Sequence, residues 1–415
     1  MNGKILKRVG VSVLALGSMF ALAGCGKSGS NSKDLKVSVD PSYKPYINSI
    51  KGKFEKENHI KVQVSYKPML DEDTAISLDG PAGKGPDVFM APYDRVGGLA
   101  QQNQISKVTL PSGRYNQLGE NTVKYKNKTY GSPVTVESLI MYYNTDLIKK
   151  APTSFDELNQ ISKDPKYAYK NDKSKNVGFL AQFTNFYNSY GVIKGYGGDV
   201  FGNNNTDPKK IELNNKGSVE ALKMMGDYYK NIWPKGTQNV KSSENFIMDS
   251  FTSGKTAVIF DGPWVAKTLN KSKNLHYAAA ELPVLPNGQR YQAFGGGKAW
   301  VISNYSKKKS MSQKWLDYVS NTANQDKFYK DTKEIPANMT SRKTAVNSGD
   351  NLAKAVDTQF GYDVPLINLP EMSEVWDPAQ TMVTNVASGM DPQKAANKGV
   401  KVIQENIKQK YSNNK

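Results

Sequence analysis

The chain has 415 residues, 56 Lys and Arg against 38 Asp and Glu, and a formal net charge of +18. That length suggests two or three domain-sized cores, and a single cysteine, Cys25, excludes any internal disulfide. Two histidines, His59 and His276, stand far apart in the sequence with no cysteine or carboxylate pair beside either, which argues against a metal site. The basic excess does not point to nucleic acid: lysines are spread along the whole chain, and beyond residue 24 the only arginines are Arg95, Arg114, Arg290 and Arg342, unclustered. It reads as a solvated surface facing anionic wall polymer or lipid headgroups.

In chain order, Lys4, Lys7 and Arg8 come first, followed by an apolar run over residues 9–22. A membrane-spanning helix needs roughly 20 apolar residues, so this shorter run describes a secretory signal over residues 1–24. Its end, Leu22-Ala23-Gly24-Cys25, resembles the lipobox of bacterial lipoproteins, which implies that Cys25 is lipidated and becomes the mature N-terminus. Residues 25–32 then serve as lipid anchor and flexible Gly/Ser-rich tether.

Apolar and polar residues alternate over 35–39 and 60–66, as in strands, and helical spacing links Tyr46, Ile47, Ile50 and Phe54 between them. A further helix is expected from Asp71 and a buried-type strand over 88–90. This strand–helix order argues for a mostly parallel sheet covered by helices. The pattern recurs later, with strands over 177–180 and 256–260 and a helix over 218–229 that aligns Val219, Leu222, Met225 and Tyr229. Two α/β lobes with a cleft between them follow, the kind of place where such sheets bind ligands.

Several chemistries lack their motifs. There is no Gly-x-Ser-x-Gly elbow for a nucleophilic serine and no phosphate loop, and no cofactor is expected. Gly295-Gly296-Gly297-Lys298 is glycine-rich without phosphate-loop spacing and reads as backbone closely approached by a ligand or by the other lobe. What the chain does carry is planar polar side chains alternating with aromatics. Carboxylates and guanidinium groups bridge neighbouring sugar hydroxyls, and aromatic rings cover the apolar sugar face.

Four stretches are more specific: Gly85-Pro86-Asp87 leading to Tyr93-Asp94-Arg95-Val96-Gly97-Gly98; Thr135-Val136-Glu137-Ser138 leading to Tyr142-Tyr143-Asn144-Thr145-Asp146-Leu147; Gly254-Lys255-Thr256-Ala257 with Asp261-Gly262-Pro263-Trp264; and Leu369-Pro370 with Met372-Ser373 and Trp376. Together and in this order they resemble the maltose/maltodextrin-binding proteins of carbohydrate ABC importers. The resemblance implies an extracellular, lipid-anchored, monomeric binding protein, not an enzyme, that closes about a hinge on maltodextrin. It would then deliver the sugar to two permease subunits served by a cytoplasmic ATPase. It implies a two-lobed periplasmic-binding-protein-like fold, with residues 33–137 and 295–345 in one lobe and 138–294 and 346–415 in the other. By position, Asp94, Arg95 and Glu137 would bond sugar hydroxyls, with a looser case for Asp40, while Tyr187, Trp264 and Trp376 would lie against sugar rings.

Read without the resemblance, Asp94 and Arg95 are a surface turn with a local ion pair, Glu137 is a solvated acid, and the aromatics are core or caps. The chain departs from the family pattern at Ala91, Asn185 and Gln380, where a tryptophan, a glutamate and an arginine are frequent. These departures favour longer glucans over the disaccharide. The competing readings are a binding protein for another oligosaccharide and, more distantly, a carbohydrate-active enzyme using Asp94, Glu137 or Asp261. The enzyme would need two carboxyls at a defined separation, which nothing in the sequence pairs.

Overall fold

The computed structural model describes residues 34–411; the signal sequence, Cys25 and the tether lie outside the described residues. Strand β1 (Leu35–Val39) buries Leu35, Val37 and Val39. Helix α1 (Lys44–Asn58) buries the expected face of Tyr46, Ile47, Ile50 and Phe54 and stops where His59 turns left-handed. Strand β2 (Val62–Tyr66) runs parallel to β1, then come α2 (Met69–Asp79) and β3 (Val88–Pro92), which lies parallel to β1 on its other side. Helix α3 (Tyr93–Gln101) follows β3 without a loop, and the short strands β4 (Ile105–Ser106) and β5 (Gly131–Pro133) complete this part of the chain.

The chain then builds a second sheet from β6 (Ile140–Asn144), β7 (Phe179–Ala181), β8 (Val258–Asp261) and β9 (Tyr277–Ala280), in the order β7-β8-β6-β9. Between β7 and β8 lie α4 (Phe186–Gly195) and α5 (Lys216–Asp227). Strand β10 (Lys298–Ser303) returns to the first sheet, whose order is β2-β1-β3-β10-β4 with β5 also on β10. Near the C-terminus α6 (Trp376–Ala387) and α7 (Pro392–Tyr411) pack on each other and on α5.

The two-lobed α/β architecture is as expected, but both sheets are mixed and not mostly parallel. Strand β10 is antiparallel to β3, and β6 is antiparallel to both β8 and β9. The reason is where these strands come from. A βαβ unit within one sheet makes parallel pairs through a crossover, whereas β6 and β10 enter their sheets from the other lobe and are free to run the opposite way.

Three chain segments cross between the sheets, and they lie side by side. Glu137 and Gly296 exchange two backbone hydrogen bonds of 3.0 and 2.9 Å, and residues 134–136 pair with 335–337, where the chain leaves the helix packed on α1 for the helix packed on β9. The core follows the same division. One cluster covers the outer face of the first sheet with Phe54, Trp300, Trp315 and Phe328, while the other runs from Phe89 and Val301 through the crossings to Phe179, Trp233 and Phe260.

Candidate functional site

Helix starts and strand ends position most of the candidate residues. Asp94 and Arg95 occupy the first turn of α3, carried there directly by β3. Trp264 follows β8 through Gly262-Pro263, Tyr187 is in the first turn of α4, and Trp376 opens α6. Glu137 lies on the first crossing, opposite Gly296.

Asp94, Arg95 and Trp376 line one cavity of about 340 Å³, together with Leu70, Asp73 and Met372. The local ion pair is present, with Arg95 Nε 3.9 Å from Asp94 Oδ2, yet the Asp94 side chain is largely buried while that of Arg95 is half exposed. Burial pushes the Asp94 carboxyl up, and the Arg95 charge offsets part of that.

An aromatic row meets this cavity at Trp376. The Trp264 and Tyr187 rings are 6.1 Å apart edge to face, Tyr187 and Phe294 are 5.9 Å apart, and Phe294 and Trp376 are 5.9 Å apart. Trp264 is 45% exposed, which is unusual for so large a ring, and it lies back over Gly262, where a Cβ would stand 2.1 Å from it. Asp261 steadies the turn: its Oδ1 accepts the Gly262 amide at 2.7 Å, and its carboxyl also bonds the Trp264 side chain. Burial pushes the Tyr187 hydroxyl well up, and Glu137, Asp363 and Asp94 raise it further against the opposing charge of Lys298. Tyr187, on α4, is therefore within electrostatic reach of acids carried by the first sheet and by the crossings.

Asp40 stands apart from this group. Its Oδ1 accepts the Ser42 amide at 3.0 Å and the Ser42 hydroxyl at 2.7 Å, capping the short turn Pro41–Tyr43. The Glu137 carboxylate has a partner inside the chain, because its Oε1 is 2.5 Å from Lys298 Nζ. Among the described residues no group of three or more His, Cys, Asp or Glu side chains is placed to hold a metal ion. His276 does have a carboxylate partner that the sequence did not reveal, Asp146 at 2.8 Å on the exposed surface.

Sequence reasoning missed two residues. Asp73 lines the cavity with both carboxylate oxygens buried and without a hydrogen-bond partner. Burial pushes its carboxyl up to about 8, an effect lowered by Arg95 and reinforced by Asp94 and Glu72. Its signal was the acidic triplet Asp71-Glu72-Asp73 opening α2, of which Glu72 alone is explained internally, by the Ser38 hydroxyl at 2.7 Å. Phe294 joins the aromatic row and sits immediately before the glycine run already singled out.

The glycine run itself is approached mainly by the chain's own backbone. A Cβ on Gly297 would stand 2.1 Å from the Thr135 carbonyl, at a φ of +153°, while Gly296 faces the Tyr187 hydroxyl across from the second lobe. Two of the departures from the family pattern have structural jobs. Asn185 caps α4 by accepting the Tyr187 amide at 3.0 Å, and Gln380 accepts the Phe186 amide at 3.2 Å while donating to the Thr184 carbonyl. Both fix the helix start that presents Tyr187.

Comparison with known proteins bears on what such a cleft serves. The family model for bacterial extracellular solute-binding proteins matches residues 50–355. This chain belongs to that family. Among its relatives, the maltodextrin-binding protein of Bacillus subtilis is 44% identical over 98% of this chain and 99% of its own. A maltooligosaccharide ABC transporter solute-binding lipoprotein of Streptococcus pneumoniae is 42% identical over 99% of this chain and 100% of its own. The crystal structure of a maltose-binding periplasmic protein from Listeria monocytogenes, in complex with maltose, superposes with a TM-score of 0.87 at 48% identity, covering 92% of this chain and 100% of that one. The solute-binding fold therefore extends over nearly the whole described chain.

Proposed function

We propose that this solute-binding protein captures maltodextrins outside the cell membrane and passes them to an ABC permease, without catalysing a reaction. The observation that carries this reading is the meeting of the Asp94–Arg95 pair with the Trp376 end of an aromatic row whose far end, Trp264, is exposed, in a chain 44% identical to a maltodextrin-binding protein. Carboxylates and guanidinium accept from and donate to sugar hydroxyls, and the row of Trp264, Tyr187 and Trp376 offers a ladder of flat faces to successive glucose rings. Asp73 supplies a further buried acceptor at the cavity wall. A micromolar site needs about 8 kcal/mol net, which a few charged hydrogen bonds at about 1.5–3 kcal/mol each and aromatic burial supply before the entropic costs of binding.

In this reading residues 33–137 and 295–345 form one lobe and 138–294 and 346–415 the other. The three paired crossings between the sheets support a hinge, since bending confined to a few linking residues closes the lobes on a ligand that touches both. Cys25 anchors the protein as a monomer to the outer face of the membrane through its lipid, and the tether lets the lobes reach the permease. The naming of a 42% identical relative as a lipoprotein supports this placement.

The test is a titration of the mature soluble form, lacking residues 1–25, with maltotriose while recording tryptophan fluorescence, with lactose and cellotriose as controls. A saturable change for maltotriose alone is the expected result. A response to lactose or cellotriose in place of maltotriose would transfer the site to another oligosaccharide, and release of reducing sugar from maltoheptaose on long incubation would overturn the non-catalytic reading.

A further inference from the structure

Lys298 opens β10 at the point where the chain re-enters the first sheet, and its partly buried ammonium sits between two carboxylates. Its Nζ is 2.5 Å from Glu137 Oε1 and 2.6 Å from Glu334 Oε2. Tyr43 donates to the same Glu334 oxygen at 2.7 Å, and Thr135 donates to Glu137 Oε1 at 3.3 Å while its own hydroxyl accepts the Lys298 amide at 3.1 Å. Burial alone would lower the Lys298 pKa; the charges of Glu137 and Glu334 outweigh it and hold the group well above the ordinary lysine range, so the lysine stays charged.

An arrangement of this kind is an inefficient way to gain stability. Even a partly buried ion cluster gives back much of its attraction as the cost of desolvating the charges, and apolar side chains of similar volume commonly match it. What the cluster does achieve is geometric: it fixes one oxygen of a carboxylate that sits on a crossing between the lobes and is sensed by Tyr187 in the aromatic row. One ammonium set between two carboxylates also leaves a formal surplus of one negative charge, so the cluster as a whole still attracts a hydroxyl proton.

We infer that Lys298 is a positioning residue for sugar capture: it holds Glu137 by Oε1 so that the remaining carboxylate oxygen is presented to a ligand hydroxyl before the ligand arrives. This rests on the maltodextrin reading above and assigns to the glycine-run lysine a role in affinity that is exerted entirely through Glu137. Preorganisation of this sort raises affinity by removing the cost of ordering the side chain during binding.

The experiment is a double-mutant cycle on maltotriose affinity by calorimetry, using the mature soluble protein, with the melting transition recorded for every variant. Lys298→Met is expected to weaken binding about tenfold and Glu137→Gln by a similar factor. The double variant is expected to be no weaker than Glu137→Gln alone, and Lys298→Arg, which keeps the charge, to recover most of the loss. Where Lys298→Met does not fold, Lys298→Gln takes its place in the cycle. Unchanged affinity in the neutral Lys298 variant, or losses that multiply in the double variant, would overturn the positioning role while leaving the maltodextrin reading intact. Wild-type protein that fails to bind maltotriose would remove both.

Discussion

Asp73 and Trp376 face the same cavity and oppose each other energetically. Trp376 is partly buried against Phe186 and Phe294, with its remaining surface on the cavity. Deleting a buried aromatic face costs about 1–3 kcal/mol, so Trp376→Ala is expected to weaken maltotriose binding by that much in calorimetry. An unchanged affinity would make the ring part of the core alone. Asp73 behaves differently because its carboxylate has no partner inside the protein. An unpaired buried acid costs stability and offers binding, the trade often found at functional sites. With its carboxyl pushed up to about 8, Asp73 is mostly protonated at neutral pH, so Asp73→Asn is expected to raise the melting temperature chiefly toward pH 8 and above, where the wild-type acid must ionise, while lowering maltodextrin affinity by about 1 kcal/mol, the worth of one hydrogen bond to the carboxyl. A variant that loses stability and keeps its affinity would contradict this assignment.

At the scale of elements, α3 matters through how closely it is approached. A Cβ on Gly97 would stand 1.7 Å from the Asn368 carbonyl, on the segment that leads to Trp376. Only a glycine lets that segment lie against α3, and so only a glycine keeps Asp94 and Arg95 on one side of the cavity and Trp376 on another. Gly97→Ala is expected to destabilise the protein by about 1–3 kcal/mol, as overpacking does, and to weaken maltotriose binding several-fold although it touches no sugar. Chemical denaturation and calorimetry on the same variant check both parts. Helix α4 makes the complementary case. Its start is tied down by Asn185 and Gln380, whose neutral amides are engaged by the backbone.

Across the whole molecule, the crossings concentrate buried polar groups where the lobes join. Asp363, packed against the crossing at Gly295, accepts Gln359 Nε2 at 2.9 Å on Oδ1, while its Oδ2 is buried; burial pushes its carboxyl up to about 8, with Gln359, Ser138 and the Ala293 amide lowering it in part. The unfolded carboxyl titrates near 4, so the native state binds this proton more tightly than the unfolded chain. Its contribution to stability is complete below about pH 4 and is lost as pH rises toward 8. Asp363→Asn, which keeps the Gln359 bond, is expected to flatten the decline in melting temperature between pH 5 and 8 by at least about 2 °C. An identical pH profile for variant and wild type would show that the carboxyl does not titrate in that window. Ligand acts at the same scale: maltotriose at 100 times its dissociation constant is expected to add about 2.7 kcal/mol to stability if it binds only the folded form.

Periodicity and spacing determined a good deal here. The alternation in residues 35–39 and the helical face of Tyr46, Ile47, Ile50 and Phe54 are local patterns, and local patterns survive into the fold. The Asp94–Arg95 and Trp376 motifs were picked out by resemblance to a family pattern and not by periodicity, and the structure puts each in the first turn of a helix. Tertiary structure alone decided the rest. The strand directions of β6 and β10 depend on which lobe the chain comes from, and no window of sequence records that. The lone carboxyl of Asp73, the capture of Glu137 by Lys298 and the place of Phe294 in the aromatic row depend on partners far away along the chain. Burial of a polar group is a property of everything packed around it, which is why these residues read as ordinary until the lobes were assembled.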